Sequence, residues 1–142
     1  MIDPVLVTRK VNLILKDLAL LDHFRAMDLE VYLADPLQEA AAERYLERII
    51  GRMIDINYHL TMELGQPPPT DYYESFLAVG RAGVLPADFA RDVASAAGLR
   101  NRIAHEYDEI DETEVLAAVQ RALKDVPAYL HHVQRFVDEA AP

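Results

Sequence analysis

The strongest constraint on this chain is a helical beat in its apolar residues. From Val115 onward, Val119, Leu123, Val126, Leu130, Val133 and Val137 follow one another at steps of three and four. Such a stripe buries one face of an α-helix and cannot serve a strand, whose faces alternate at every residue. The same beat runs through Val7, Val11, Ile14, Leu15, Leu18 and Leu21. It returns at Leu46, Ile49, Ile50, Met53, Ile54, Leu60 and Leu64.

Breakers between these stripes set the expected boundaries. A first helix is expected from about Pro4 to about Asp28. Asp35-Pro36-Leu37-Gln38 reads as a helix start, with Asp35 as N-cap, Pro36 in the first helical position and Gln38 placed to close a capping box. That second helix should run to about Leu64, because three consecutive prolines, Pro67 to Pro69, cannot continue it. Thr70 is expected to cap a short third helix through Val79, broken by Gly80 and Gly83. Pro86 should open a fourth helix reaching about His105. Asp111-Glu112-Thr113-Glu114 has the pattern of another capping box, opening a last helix to about Ala140 that Pro127 should kink. The expectation is an all-α, up-and-down bundle of about five helices, with residues 1–142 as one domain.

Composition agrees and narrows the function. Apolar residues make up 51% of the 142, enough to build a core. With no cysteine, thiolate chemistry and disulfides are excluded. The N-terminal stretch is interrupted by Asp3, Arg9, Lys10, Lys16 and Asp17, so neither a membrane span nor a signal peptide is expected, and the chain reads as cytoplasmic. The formal net charge of -10 opposes non-specific contact with nucleic acid, so any such contact needs a local basic patch or a partner protein.

One stretch concentrates reactive side chains: Arg100-Asn101-Arg102-Ile103-Ala104-His105-Glu106-Tyr107. Histidine moves protons near neutral pH, and the guanidinium fork stabilises phosphoryl oxyanions. Helical spacing places Asn101 and Arg102 on the face of His105, whereas Arg100, five residues away, is splayed from it by roughly 140°. On chemistry alone, the plainer reading of His105, a last-turn histidine favoured by the helix dipole, stands ahead of the catalytic one.

Arg100-(x4)-His105-x-Tyr107 resembles the R-x4-H-x-Y motif of HepT-like HEPN ribonuclease toxins, with Asn101 in the usual polar position. Glu43-Arg44, Asp55-Ile56, Tyr72-Tyr73-Glu74-Ser75-Phe76, Gly83-Val84-Leu85 and the acidic run after Tyr107 extend the likeness from about Leu15 to Val137. The resemblance implies a homodimer that brings two motif copies into one cleft and cleaves RNA without a metal. His105 would handle protons at the ribose 2′-hydroxyl, Arg100 would stabilise the phosphorane-like charge and Asn101 would orient groups in the cleft. It also implies that Tyr107 accepts AMP from a cognate, ATP-dependent minimal nucleotidyltransferase antitoxin, which would block RNA by bulk and charge. The structural alternative for Tyr107 is ring packing and a hydroxyl hydrogen bond.

Three further features stay open on sequence. Arg44, Arg48 and Arg52 repeat every four residues opposite the apolar stripe, to guide phosphates or bind a partner, or to pair along the helix with Glu43, Glu47 and Asp55. Arg102 is an additional candidate contact for RNA or partner. The six acids between residues 106 and 114 either dock a basic antitoxin surface or form a solvated loop and helix start. His23, His59, His131 and His132 lack metal-ligand spacing, so no metal and no tightly held cofactor are expected. Beside the nuclease stand two other readings: a non-catalytic HEPN dimer that binds nucleotide or nucleotidyltransferase, and a plain helical bundle.

Overall fold

The computed structural model describes residues 1–140; the side chain of Tyr107 lies outside that description. Six α-helices follow in order: α1 (Pro4–Leu21), α2 (Leu29–Leu33), α3 (Pro36–Glu63), α4 (Tyr72–Arg81), α5 (Ala87–His105) and α6 (Glu112–Ala140). Short 3-10 turns at Asp22–Phe24 and Tyr107–Glu109 join them. The long α3 is the axis of the bundle and packs against each of the other five helices. Among the described residues, no helix is long and apolar enough to cross a membrane.

The periodic stripes become the core. All seven α6 positions are buried, as are Leu46, Ile49, Ile50, Met53, Ile54 and Leu60 of α3. Of the six apolar α1 positions only Leu15 faces solvent. Asp35 caps α3 by accepting from the Leu37 amide at 3.0 Å. Asp111 caps α6 by accepting from Thr113 and Glu114 amides at 3.0 and 3.4 Å.

Three expected boundaries are corrected. α1 does not reach Asp28: the chain turns after Leu21 so that both Phe24 and Tyr32 bury, their rings 6.0 Å apart edge to face. Gln120 of α6 donates to the carbonyls of Phe24 and Met27, both at 3.2 Å, and so ties this turn to α6. The sixth helix, α2, arises from this turn. The cap of α4 is Asp71, not Thr70, and accepts from the Glu74 amide at 2.7 Å. Finally, α4 continues through Gly80. A Cβ there would sit 2.7 Å from that of Ala90, so this glycine lets α4 and α5 approach closely. The turn itself belongs to Gly83, whose φ of 86° suits a residue without a Cβ.

One buried polar chain crosses the bundle. The Tyr129 hydroxyl of α6 lies 2.6 Å from Asn57 Oδ1 and 3.0 Å from the Met53 carbonyl. Asn57 Nδ2 donates to Ser75 Oγ at 3.2 Å, and Ser75 Oγ donates to the Tyr72 carbonyl at 2.7 Å. Burial holds the Tyr129 hydroxyl well above its ordinary pKa, so it remains a donor. The chain ties α6 and α3 to the first turn of α4, and that turn borders the candidate site.

Candidate active site at the end of α5

α5 ends at His105. The backbone leaves helical geometry at Glu106, whose amide still donates to the Arg102 carbonyl at 2.7 Å. His105 is therefore an exposed last-turn residue at the negative end of the helix dipole. It opens onto a recess of about 500 Å³ with Asn101 and Arg102 beside it and Tyr58, Asp71 and Tyr72 facing it. The expected grouping of Asn101 and Arg102 with His105 is thus present.

Arg100 takes the other flank. It lines a separate recess of about 290 Å³ together with Lys10, Arg44, Arg48, Arg52 and Asp55. Helical pitch separates the two motif residues within one chain, and the ending of α5 at His105 does not bring them into one recess. The Arg100 guanidinium lies over the Tyr72 ring, 5.5 Å from its centroid. Its Nε is buried without a hydrogen-bond partner among the described residues. Tyr72 therefore touches both flanks, with its ring on the His105 recess and under Arg100.

Within the arginine row of α3, Arg44 pairs along the helix with Glu47 as one of the open readings expected, whereas Arg48 and Arg52 are used in a way that neither reading named. Arg48 and Arg52 reach across to α1 and hold Asp17 at 3.0 and 2.7 Å. Asp17 is only 1% exposed, so its carboxylate depends on these two partners. Arg44 is mostly exposed and lies 3.7 Å from Glu47, while Lys10 pairs with Asp55 at 2.9 Å. Five cationic side chains around this recess thus meet three carboxylates, leaving a local cationic excess in an acidic chain. Arg102 pairs with Glu114 of α6 at the edge of the other recess.

The acidic side has its own structure behind the loop. The buried Tyr32 hydroxyl donates to Glu112 Oε2 at 2.6 Å. Burial, then the hydrogen bond with the Glu112 carboxyl, pushes Glu43 up to about 8. The Tyr107 side chain, expected to accept AMP, lies outside the described residues. Among the described residues no group of three or more His, Asp or Glu side chains could hold a metal ion. Sequence reading passed over Tyr58, Asp71 and Tyr72 as site residues. The available signal was the Thr-Asp-Tyr-Tyr run directly after the proline turn, which fixes where α4 begins.

Comparison with known proteins gives this site a family. The model of the family described as "Ribonuclease HepT-like" matches residues 14–133. A protein named tRNA nuclease HepT, from Aphanizomenon flos-aquae (strain 2012/KM1/D3), is 33% identical over 136 residues, covering 96% of this chain and 92% of that protein. The fold is shared with a tri-AMPylated Shewanella oneidensis HEPN toxin solved in complex with an MNT antitoxin, at TM-score 0.79 and 20% identity, covering 92% and 97% of the two chains. It is shared also with YutE of Bacillus subtilis, a cytosolic protein of unknown function, at TM-score 0.85 and 14% identity, covering 99% and 95%. The chain belongs to the HepT-like ribonuclease family.

Proposed function

We propose that this protein is a cytoplasmic, metal-independent endoribonuclease toxin acting on RNA, of which tRNA and mRNA are the candidates. The observation that carries the reading is His105, exposed at the end of α5 on an open recess with Asn101 and Arg102 beside it, in a chain of the HepT-like family. The relative named tRNA nuclease makes tRNA the first substrate to try. His105 takes the proton of the ribose 2′-hydroxyl as that oxygen attacks phosphorus. The P–O5′ bond breaks, O5′ receives a proton, and the products are a 2′,3′-cyclic phosphate and a 5′-hydroxyl. Arg100 stabilises the charge on the phosphorane oxygens, and Asn101 orients the strand.

Arg100 and His105 line different recesses of one chain, so a homodimer supplies the missing proximity, Arg100 of one protomer completing the site at His105 of the other. Arg44 and Arg102 then contact RNA or partner at the rim, while Arg48 and Arg52 do so only with what Asp17 leaves free. Tyr107 is the proposed acceptor of AMP from a cognate, ATP-dependent minimal nucleotidyltransferase antitoxin. The structural relative bearing AMP in an antitoxin complex supports that regulation.

The deciding experiment incubates wild type and His105→Ala with tRNA and total RNA in the presence of EDTA. Cleavage by wild type alone, with cyclic-phosphate ends, is the expected result. Loss of wild-type cleavage on chelation would overturn the metal-free mechanism. A second reading, a non-catalytic HEPN dimer that binds nucleotide or the nucleotidyltransferase, is favoured by the net charge of -10. It predicts no cleavage by either protein, together with AMP transfer that Tyr107→Phe abolishes.

A further inference from the structure

Within one chain, the recess at His105 is poorly matched to a phosphate, so the scissile group there depends on the charge that a second protomer brings. Asp71 and Glu106 both line it, and their charges repel a phosphodiester. Its opposite wall is aromatic: Tyr58 and Tyr72 meet at 6.2 Å between centroids, nearly perpendicular at 85°. Tyr72 is 39% exposed, and the Arg100 guanidinium lies over one face of its ring, leaving the stacking role to the other. Exposed tyrosines with an adjacent arginine are what single-stranded RNA bases stack on, because every base offers a π-face. Cationic excess lies instead on the Arg100 flank, beyond the same ring.

We propose that Tyr72, braced by Tyr58, is a stacking platform for one nucleobase of the RNA strand beside His105, with the adjoining phosphate on the Arg100 flank. The proposal rests on the RNA-cleaving reading and adds to it a base subsite. One Asp71 oxygen caps α4, and the other remains an acceptor for a base amino group, so adenine, cytosine or guanine is preferred to uracil. Tyr58 lies half-buried, and burial followed by the Tyr72 and Asp71 neighbours raises its pKa, keeping its hydroxyl a donor toward the base edge. The backbone under the platform is fixed because the Tyr72 carbonyl is held by Ser75, itself bonded to the buried Asn57, which Tyr129 holds in turn.

The test uses a 2′-O-methyl RNA oligonucleotide, which cannot be cut, carrying 2-aminopurine at successive positions. It is titrated into the full-length His105→Ala protein and into the same protein with Tyr72→Phe or Tyr72→Leu. At one position binding should quench the fluorophore. Tyr72→Phe should keep the affinity within about twofold, and Tyr72→Leu should lose about tenfold, within the range measured for a single stacked base. An abasic nucleotide at the quenched position should cause the same loss in the Tyr72 protein and none in Tyr72→Leu. Equal affinity for Tyr72→Leu, equal loss for Phe and Leu, or no position coupled to Tyr72 would each overturn the subsite. Wild-type cleavage of RNA separates the two claims. Tyr72-dependent quenching without cleavage retains the subsite and removes the nuclease. His105-dependent cleavage whose KM is unchanged by Tyr72→Leu retains the nuclease and removes the subsite.

Discussion

The two flanks of the α5 end differ in charge and in how each is held. On one side Arg100 joins Lys10, Arg44, Arg48 and Arg52 around a recess anchored by the buried Asp17 carboxylate. On the other, His105 opens between Asn101, Arg102 and an aromatic and acidic wall. Five residues of helix separate the motif pair, so one chain presents one motif residue to each flank. The difference teaches that an R-x4-H spacing on a regular helix points its two residues to different flanks, and for that reason the proposed mechanism calls on a second protomer.

The largest test breaks that separation. Arg100→Ala and His105→Ala should each lower single-turnover cleavage by about 10²-fold or more. Mixed in equal amounts and allowed to exchange, the two inactive proteins should recover roughly a quarter of wild-type activity, since half of random dimers carry one intact composite site. No recovery would mean that each site is built within one chain.

Next in size is the anchor of the cationic flank. Removing both Arg48 and Arg52 leaves Asp17 buried and unpaired, at a cost of about 3–5 kcal/mol by urea denaturation. Either single substitution should cost much less, because one arginine remains, and Asp17→Asn should restore much of the loss in the double variant. Simple additivity of the single effects would show that Asp17 does not depend on the pair.

Away from both flanks, Glu43 of α3 should respond to pH in the opposite sense from an ordinary salt-bridged carboxylate. Glu43 rises from its ordinary 4.5 to about 8, so folding favours its protonated form. The stability it contributes is fully present below about 4.5 and is lost as pH climbs through about 8. Wild-type Tm should therefore fall across that window relative to Glu43→Gln, which keeps a neutral side chain throughout. Parallel Tm curves for the two proteins would remove the Glu43–Glu112 contact from the account.

The smallest effect belongs to the exposed Arg102–Glu114 pair. Glu114→Gln should change stability by less than about 1 kcal/mol. It should also release Arg102 toward the His105 recess, tightening RNA binding modestly and steepening its salt dependence. An unchanged salt slope would place Arg102 outside the RNA path.

Much of this molecule was legible in local sequence. The stripes of α1, α3 and α6, the proline turn after α3, the caps Asp35 and Asp111 and the end of α5 at His105 depend on neighbours within a few residues. Backbone propensity and helical period act over that same range. The grouping of Asn101 and Arg102 with His105 followed for the same reason. Tertiary structure decided what those rules do not reach. Gly80 reads as a breaker until Ala90 is seen against it, and Asp17 reads as a surface acid until two arginines from another helix close on it. Tyr72 gains its place only because Ser75, Asn57 and Tyr129 from three helices converge beneath it. Apart from Ser75, such partners lie ten or more residues away in the chain, and their choice follows from how whole helix faces pack, which no local pattern encodes.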